Sequence, residues 1–98
     1  MHRRAAVEAA LRRLAPRLPR HEFEAVTDHA LDSAGLRTAA PETAARLSLV
    51  AYARHVFTDY DALLEEDYEP DSARHFVLDD LNAALDGWGV RRRVGEGD

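Results

Sequence analysis

The chain has 98 residues, 46% hydrophobic and 32% charged, with no cysteine and a formal net charge of −5. That length supports one hydrophobic core, the balance is that of a globular domain, and the lack of thiols excludes disulfides and thiolate metal sites. No apolar run approaches the roughly 20 residues of a bilayer span, and Glu8, Arg12 and Arg13 interrupt the N-terminal stretch where a secretory leader needs unbroken apolar sequence, so the expectation is a cytoplasmic protein without membrane contact.

The charge is unevenly placed. Residues 1–20 carry six arginines against Glu8, residues 21–90 carry four arginines against fifteen acids, and all thirteen cations of the chain are arginine. A basic N-terminal segment can lie on the protein's own acidic body or on an anionic partner.

Taken in order, Arg3 to Ala15 places Val7, Ala10, Leu11 and Leu14 at helical spacing, with Leu18 beyond, and Pro16 and Pro19 limit the helix. A second helix follows Pro19, with Glu22 and Glu24 where the helix dipole favours acids and with Phe23, Val26, Ala30, Leu31 and Ala34 on one face; Gly35 is expected to end it. Pro41 and Glu42 open a third helix, "PETAARLSLVAYARHVF". It is apolar on two sides, Ala44, Leu47, Val50 and Ala51 with Arg54 on one and Leu49, Tyr52, Ala53, Val56 and Phe57 on the other, and reads as the buried central element. Thr58, followed three places later by Asp61, predicts a bend and a new short helix through about Glu66. Pro70 and Asp71 start a final helix to Trp88 that carries Ala73, Phe76, Val77, Leu81, Ala84 and Leu85 on one broad face, with Gly87 and Gly89 at its end. The fold class is therefore all-α, a compact bundle of four to five short helices over residues 1–90, with 91–98 as a flexible tail.

Two stretches, "ARHVFTD" and "ARHFVLD", repeat Ala-Arg-His with an Asp four places on. Two imidazoles and two carboxylates could in principle meet at a metal, but the predicted bend at Thr58 separates His55 from Asp59 in helical register, and no HExxH or Glu-x-x-His pairing occurs; no metal is expected. No Gly-rich phosphate loop or nucleophile elbow is present, and no cofactor is expected. The chemistry-bearing residues concentrate instead at the bend: Arg54, His55, Thr58, Tyr60 and Asp61, with Arg74 further on. A guanidinium beside the most apolar stretch needs acceptors, and Asp61, folded back by the bend, together with the last carbonyls of the preceding helix, is the expected partner set for Arg54. The cluster is read as structural or binding. Trp88 is read as a plug at a helix end.

The run "VAYARHVFTDYDALL", followed by "SAR" and a closing Trp, resembles the uncharacterised family catalogued as domain of unknown function 2293, over roughly residues 25–88. The family pattern falls on Arg54, His55, Thr58, Tyr60, Asp61, Leu63, Leu64, Ala73, Arg74 and Trp88, and leaves His75 and Asp79 outside it. The resemblance implies an architecture and no activity.

The resulting expectation is a small helical protein-interaction or structural module whose partner is another protein or a second copy, engaged through apolar surface left over on the N-terminal or final helix. Two alternatives stand beside it. One is nucleic-acid binding by Arg3, Arg4, Arg12, Arg13, Arg17 and Arg20, with Arg91, Arg92 and Arg93 assisting. The other is a small enzyme in which His55, oriented by Asp61, is a general base and Arg54 holds an anionic substrate.

Overall fold

The computed structural model of the chain describes residues 2–95. It is all-helical: α1 spans Arg3–Leu14, α2 Arg20–Asp32, α3 Pro41–Phe57, α4 Tyr60–Glu65, α5 Pro70–Phe76 and α6 Leu78–Gly87, with a 3₁₀ turn at Ala34–Leu36 between α2 and α3. Pro41 and Pro70 stand at the first turns of α3 and α5, where a missing amide costs nothing and the fixed φ favours entry.

The main core is Val7, Ala10 and Leu11 of α1, Val26 and Ala30 of α2, Ala44, Ala45, Leu49 and Ala53 of α3, and Leu81 and Leu85 of α6. Central α3 packs on α1, α2 and α6. Its inward face is built of small side chains, Ala44, Ala45, Ser48 and Ala53 around Leu49, which lets neighbouring helices approach closely. Its larger apolar residues face outward: Leu47 is 52% exposed, and Val50 and Ala51 are half-buried. The stripe expected to be core is therefore partly surface, because the small-residue face won the contact with α1 and α2.

Other expectations are corrected as well. Gly35 does not end α2, which stops at Asp32 because Ser33 turns extended (φ −71°, ψ 118°). The expected final helix is two: Val77 (φ −99°, ψ 4°) breaks it. Val77 joins a small second core with Tyr60 and Ala73, whereas Leu81 and Leu85 enter the main core, and one straight helix cannot present both sets in their two directions. Phe76, expected inside, is 63% exposed, with its ring set edge-on to Tyr68.

Of the expected tail, Arg91, Arg92 and Arg93 are exposed, Val94 is buried, and the last three residues lie outside the described ones. Val90 and Val94 are buried in the main core, and the Asn82 side chain holds Val94 in both directions. Gly89 makes the turn into this arm at φ +85°, and a Cβ there would meet Pro16 Cγ at 3.0 Å. The loop between α1 and α2 docks at the same place, where the Arg17 amide donates to the Trp88 carbonyl at 2.9 Å. Trp88 is the expected plug, buried at the end of α6 with Phe57 edge-on at 5.1 Å.

Candidate functional site: an arginine-lined groove beside a polar corner

The bend at Thr58 forms, though not by the expected Thr58–Asp61 capping box: Asp59 is the N-cap of α4, and the Thr58 hydroxyl serves both helices. Thr58 Oγ1 donates to the Arg54 carbonyl at the end of α3 and accepts from the Tyr60 amide at the start of α4. Both groups are left without helical partners at a chain break, so one side chain satisfies an orphan carbonyl and an orphan amide. Tyr60 is buried at the corner, and its ring has His55 edge-on at 5.4 Å and the Arg54 guanidinium at 5.8 Å.

The predicted Arg54–Asp61 brace is not what forms. Asp61 Oδ1 instead meets His55 Nδ1 at 2.5 Å, with both side chains about half exposed. Successive residues on a helix point about 100° apart, and the bend returns Asp61 to the side of His55 rather than that of Arg54. Arg54 is turned inward and is only 9% exposed. Its Nε is buried without a hydrogen-bond partner, and no ion pair with a described carboxylate forms. Burial, and after it the charge of Arg74, hold the Arg54 guanidinium below its ordinary pKa, with Tyr60 pulling the other way.

Arg54 lines a groove of about 790 Å³ that runs along α1, α3 and the C-terminal arm. Leu14, Leu47, Val50, Ala51 and Val94 give it an aliphatic floor, while Arg13, Arg46, Arg54, Arg74 and Arg92 face it against one carboxylate, Glu42, among its described lining residues. Glu42 is partly used by Arg13 at 3.4 Å, and Arg46 Nη1 donates to the Arg92 carbonyl at 3.2 Å. The expected cluster is thus divided by Tyr60. Arg54 and Arg74 belong to the groove; His55 and Asp61 are not among its lining residues. The floor was visible in the sequence as a stripe on α3 that ended in Arg54, but it was assigned to the core. Arg92 and Val94 carried no local signal, since they reach the groove through contacts with distant residues, Asn82 holding Val94 and Arg46 the Arg92 carbonyl.

The six N-terminal arginines are engaged within the fold. Arg3 donates to the Ala39 and Leu36 carbonyls at 2.7 Å each, Arg4 pairs with Asp28 at 3.0 Å and Arg20 with Glu24 at 3.1 Å. Arg13 meets Glu42, Arg17 donates to the Asp86 carbonyl, and Arg12 lies over the Phe23 ring at 4.9 Å. Arg4, Arg13 and Arg20 thus meet the protein's own carboxylates, and Arg3, Arg12 and Arg17 its carbonyls or a ring. In the duplicated Ala-Arg-His the helix break at Val77 falls between His75 and Asp79, and among the described residues no group of three or more His, Cys, Asp and Glu side chains is placed to hold a metal ion.

One titration outside the groove is readable. Burial, then the charge and hydrogen bond of Glu22, whose Oε2 accepts from Tyr52 Oη at 3.5 Å, raise the Tyr52 pKa above 10.0. The fold therefore favours the neutral phenol. That contribution is fully present below the unfolded-state pKa of about 10 and is lost as pH rises through the higher folded-state value. Phenolate absorbance should show one tyrosine titrating late, and Glu22→Gln should move its midpoint down; an unmoved midpoint would count against the contact.

A small all-helical domain with a cationic, aliphatic groove is the class that fold and geometry define. Residues 10–89 match the model of the family described as Uncharacterized conserved protein (DUF2293), and the chain belongs to that family. No curated protein and no solved structure matches it. Among the described residues no helix is long and apolar enough to cross a membrane.

Proposed function

We propose that the domain is a protein-interaction module, that its contact face is the groove between α1, α3 and the C-terminal arm, and that its partner offers an acidic amphipathic segment. One observation carries the reading: an aliphatic floor with Leu47 half exposed, faced among the described residues by five guanidiniums and a single carboxylate. Apolar side chains of a partner segment would cover the floor while its carboxylates take the guanidinium forks, the arrangement of helix-in-groove recognition. The exposed large apolar side chains are Leu47, Val56 and Phe57 of α3 and Tyr68 and Phe76 before and on α5, with none on α1.

Nucleic acid is the weaker reading. The N-terminal arginines have intramolecular partners, the concavity between α1 and α2 mixes Arg4, Arg12 and Arg20 with Glu8, Glu24 and Asp28, and no aromatic side chain is among the described groove residues to stack a base. The enzyme reading keeps the His55–Asp61 contact but loses Arg54 from it, because Arg54 lines the groove and His55 is not among the groove's described lining residues.

The test is titration of the full chain with a labelled helical peptide of alternating Glu and Leu faces, its Lys counterpart, and a single-stranded oligonucleotide. The acidic peptide should bind, and more weakly as salt rises. Leu47→Asp should weaken it about tenfold with the thermal midpoint nearly unchanged, since an exposed substitution moves stability by about 0.5 kcal/mol or less. Equal binding of both peptides, or tighter binding of the oligonucleotide, would defeat the proposal.

A further inference from the structure

We propose that the part of the groove lined by Arg54 and Arg74 is a binding site for a phosphate monoester dianion. The inference deepens the groove reading and rests on it for the ligand's protein context: the phosphate is that of a phosphorylated side chain on the docking segment.

The argument starts from what Arg54 lacks. A guanidinium whose Nε is shut off from water is commonly stabilised in folded proteins by a carboxylate or by carbonyls, because an uncompensated buried charge is costly. Arg54 has neither: its Nε has no acceptor, and no described carboxylate pairs with it. The acid best placed in sequence, Asp61, is committed to His55 on the other side of the corner. The ring of Tyr60 at 5.8 Å offers a weak cation–π contact. The charged group that acts on Arg54 is a second cation, Arg74, which faces the same groove from α5. Two helices thus bring like charges to one groove, Arg54 largely buried and Arg74 exposed. Such a pair is disfavoured in the empty protein and relieved by a bound anion.

Charge and shape select the anion. A single carboxylate would leave one of the two positive charges unmatched. A phosphate monoester carries about −1.5 to −2 at neutral pH and offers three oxygens to two guanidinium forks. A phosphodiester of a nucleic acid backbone carries one charge and matches less well. Arginine is the fitting cation here, since its planar fork is weakly hydrated and stays charged even where burial lowers its pKa. Beyond the phosphate, Arg46 and Arg92 would meet acidic neighbours of the modified residue, and Leu47 and Val50 its apolar ones.

The test uses the full chain at neutral pH and constant ionic strength. Inorganic phosphate, in place of chloride, should raise the thermal midpoint by roughly 5 to 10 °C at about ten times its dissociation constant. Arg54→Met should raise the midpoint of the unliganded protein and abolish the phosphate response, a sign opposite to that of a structural brace. Arg74→Met, at an exposed position, should leave the unliganded midpoint within a few degrees and remove most of the response; it decides the matter if Arg54→Met fails to fold. An acidic peptide bearing phosphoserine should bind at least tenfold tighter than its unphosphorylated form, and tighter than a single-stranded RNA of equal charge. Equal midpoints in phosphate and chloride, or a response that survives Arg74→Met, would overturn the site. Binding of the unphosphorylated peptide with phosphate inert would remove the subsite and leave the groove reading intact, whereas failure of both peptides would remove both. Preference for the RNA would transfer the groove to nucleic acid and reject this proposal.

Discussion

Replacing Asn82 by Ala is expected to destabilise the fold by about 2 to 4 kcal/mol and to dismantle one wall of the groove. Asn82 Nδ2 donates to the Val94 carbonyl at 2.9 Å, and the Val94 amide donates to Oδ1 at 2.8 Å, with both residues only 4% exposed. One side chain thus performs for a single residue of the arm what a strand neighbour does in a sheet. Alanine leaves a buried amide and a buried carbonyl without partners, at about 1 to 3 kcal/mol each. If the arm peels away to rehydrate them, the burial of Val90 and Val94 is lost instead, at about 1.5 kcal/mol or more for each side chain. For a domain of this size that shift corresponds to a midpoint about 10 to 20 °C lower. Urea denaturation with hydrogen exchange at the Val94 amide measures it. An unchanged urea midpoint with Val94 still protected would show that the arm is held by something other than Asn82. Asn82→Asp should resemble Ala, since a carboxylate can accept the amide but repels the carbonyl.

Leu49→Ala is expected to cost about 3 to 4 kcal/mol, while Leu47→Ala, two residues away, costs about 0.5 kcal/mol or less. Leu49 is 1% exposed in the middle of α3, the helix on which α1, α2 and α6 all pack, so truncation leaves a cavity that three helices cannot close together. Leu47 is on the groove side of the same helix and loses contact mostly with water. The comparison holds propensity and chemistry fixed and varies only the face. Equal losses in denaturation would mean that α3 is buried on both sides and that the groove is closed in solution.

That comparison also marks where the sequence was readable and where it was not. Helix starts at Pro41 and Pro70, the bend at Thr58 and the plug at Trp88 are local matters: a fixed φ, a hydroxyl within reach of its own backbone, a large ring at a helix end. Which side of α3 faces inward is not local. The helix carries apolar residues on two faces, and the choice fell to the one whose small side chains admit α1 and α2 closely, leaving the bulkier Leu47 and Val50 outside. The break at Val77 is of the same kind, set by two separate cores that one straight helix could not serve.

The candidate site divides along the same line. Amino-acid order alone determined that Arg54, His55, Thr58, Tyr60 and Asp61 would meet at a corner, because neighbours in the chain cannot be far apart in space. Only the tertiary structure decided that Asp61 takes His55, that Arg54 and Arg74 line one groove, and that Arg92 and Val94 reach it from the C-terminal arm. The physical reason is that ion pairing depends on direction as well as proximity. The angle at which α4 leaves α3, and the hold of Asn82 on an arm twelve residues away, are set by packing contacts between distant parts of the chain.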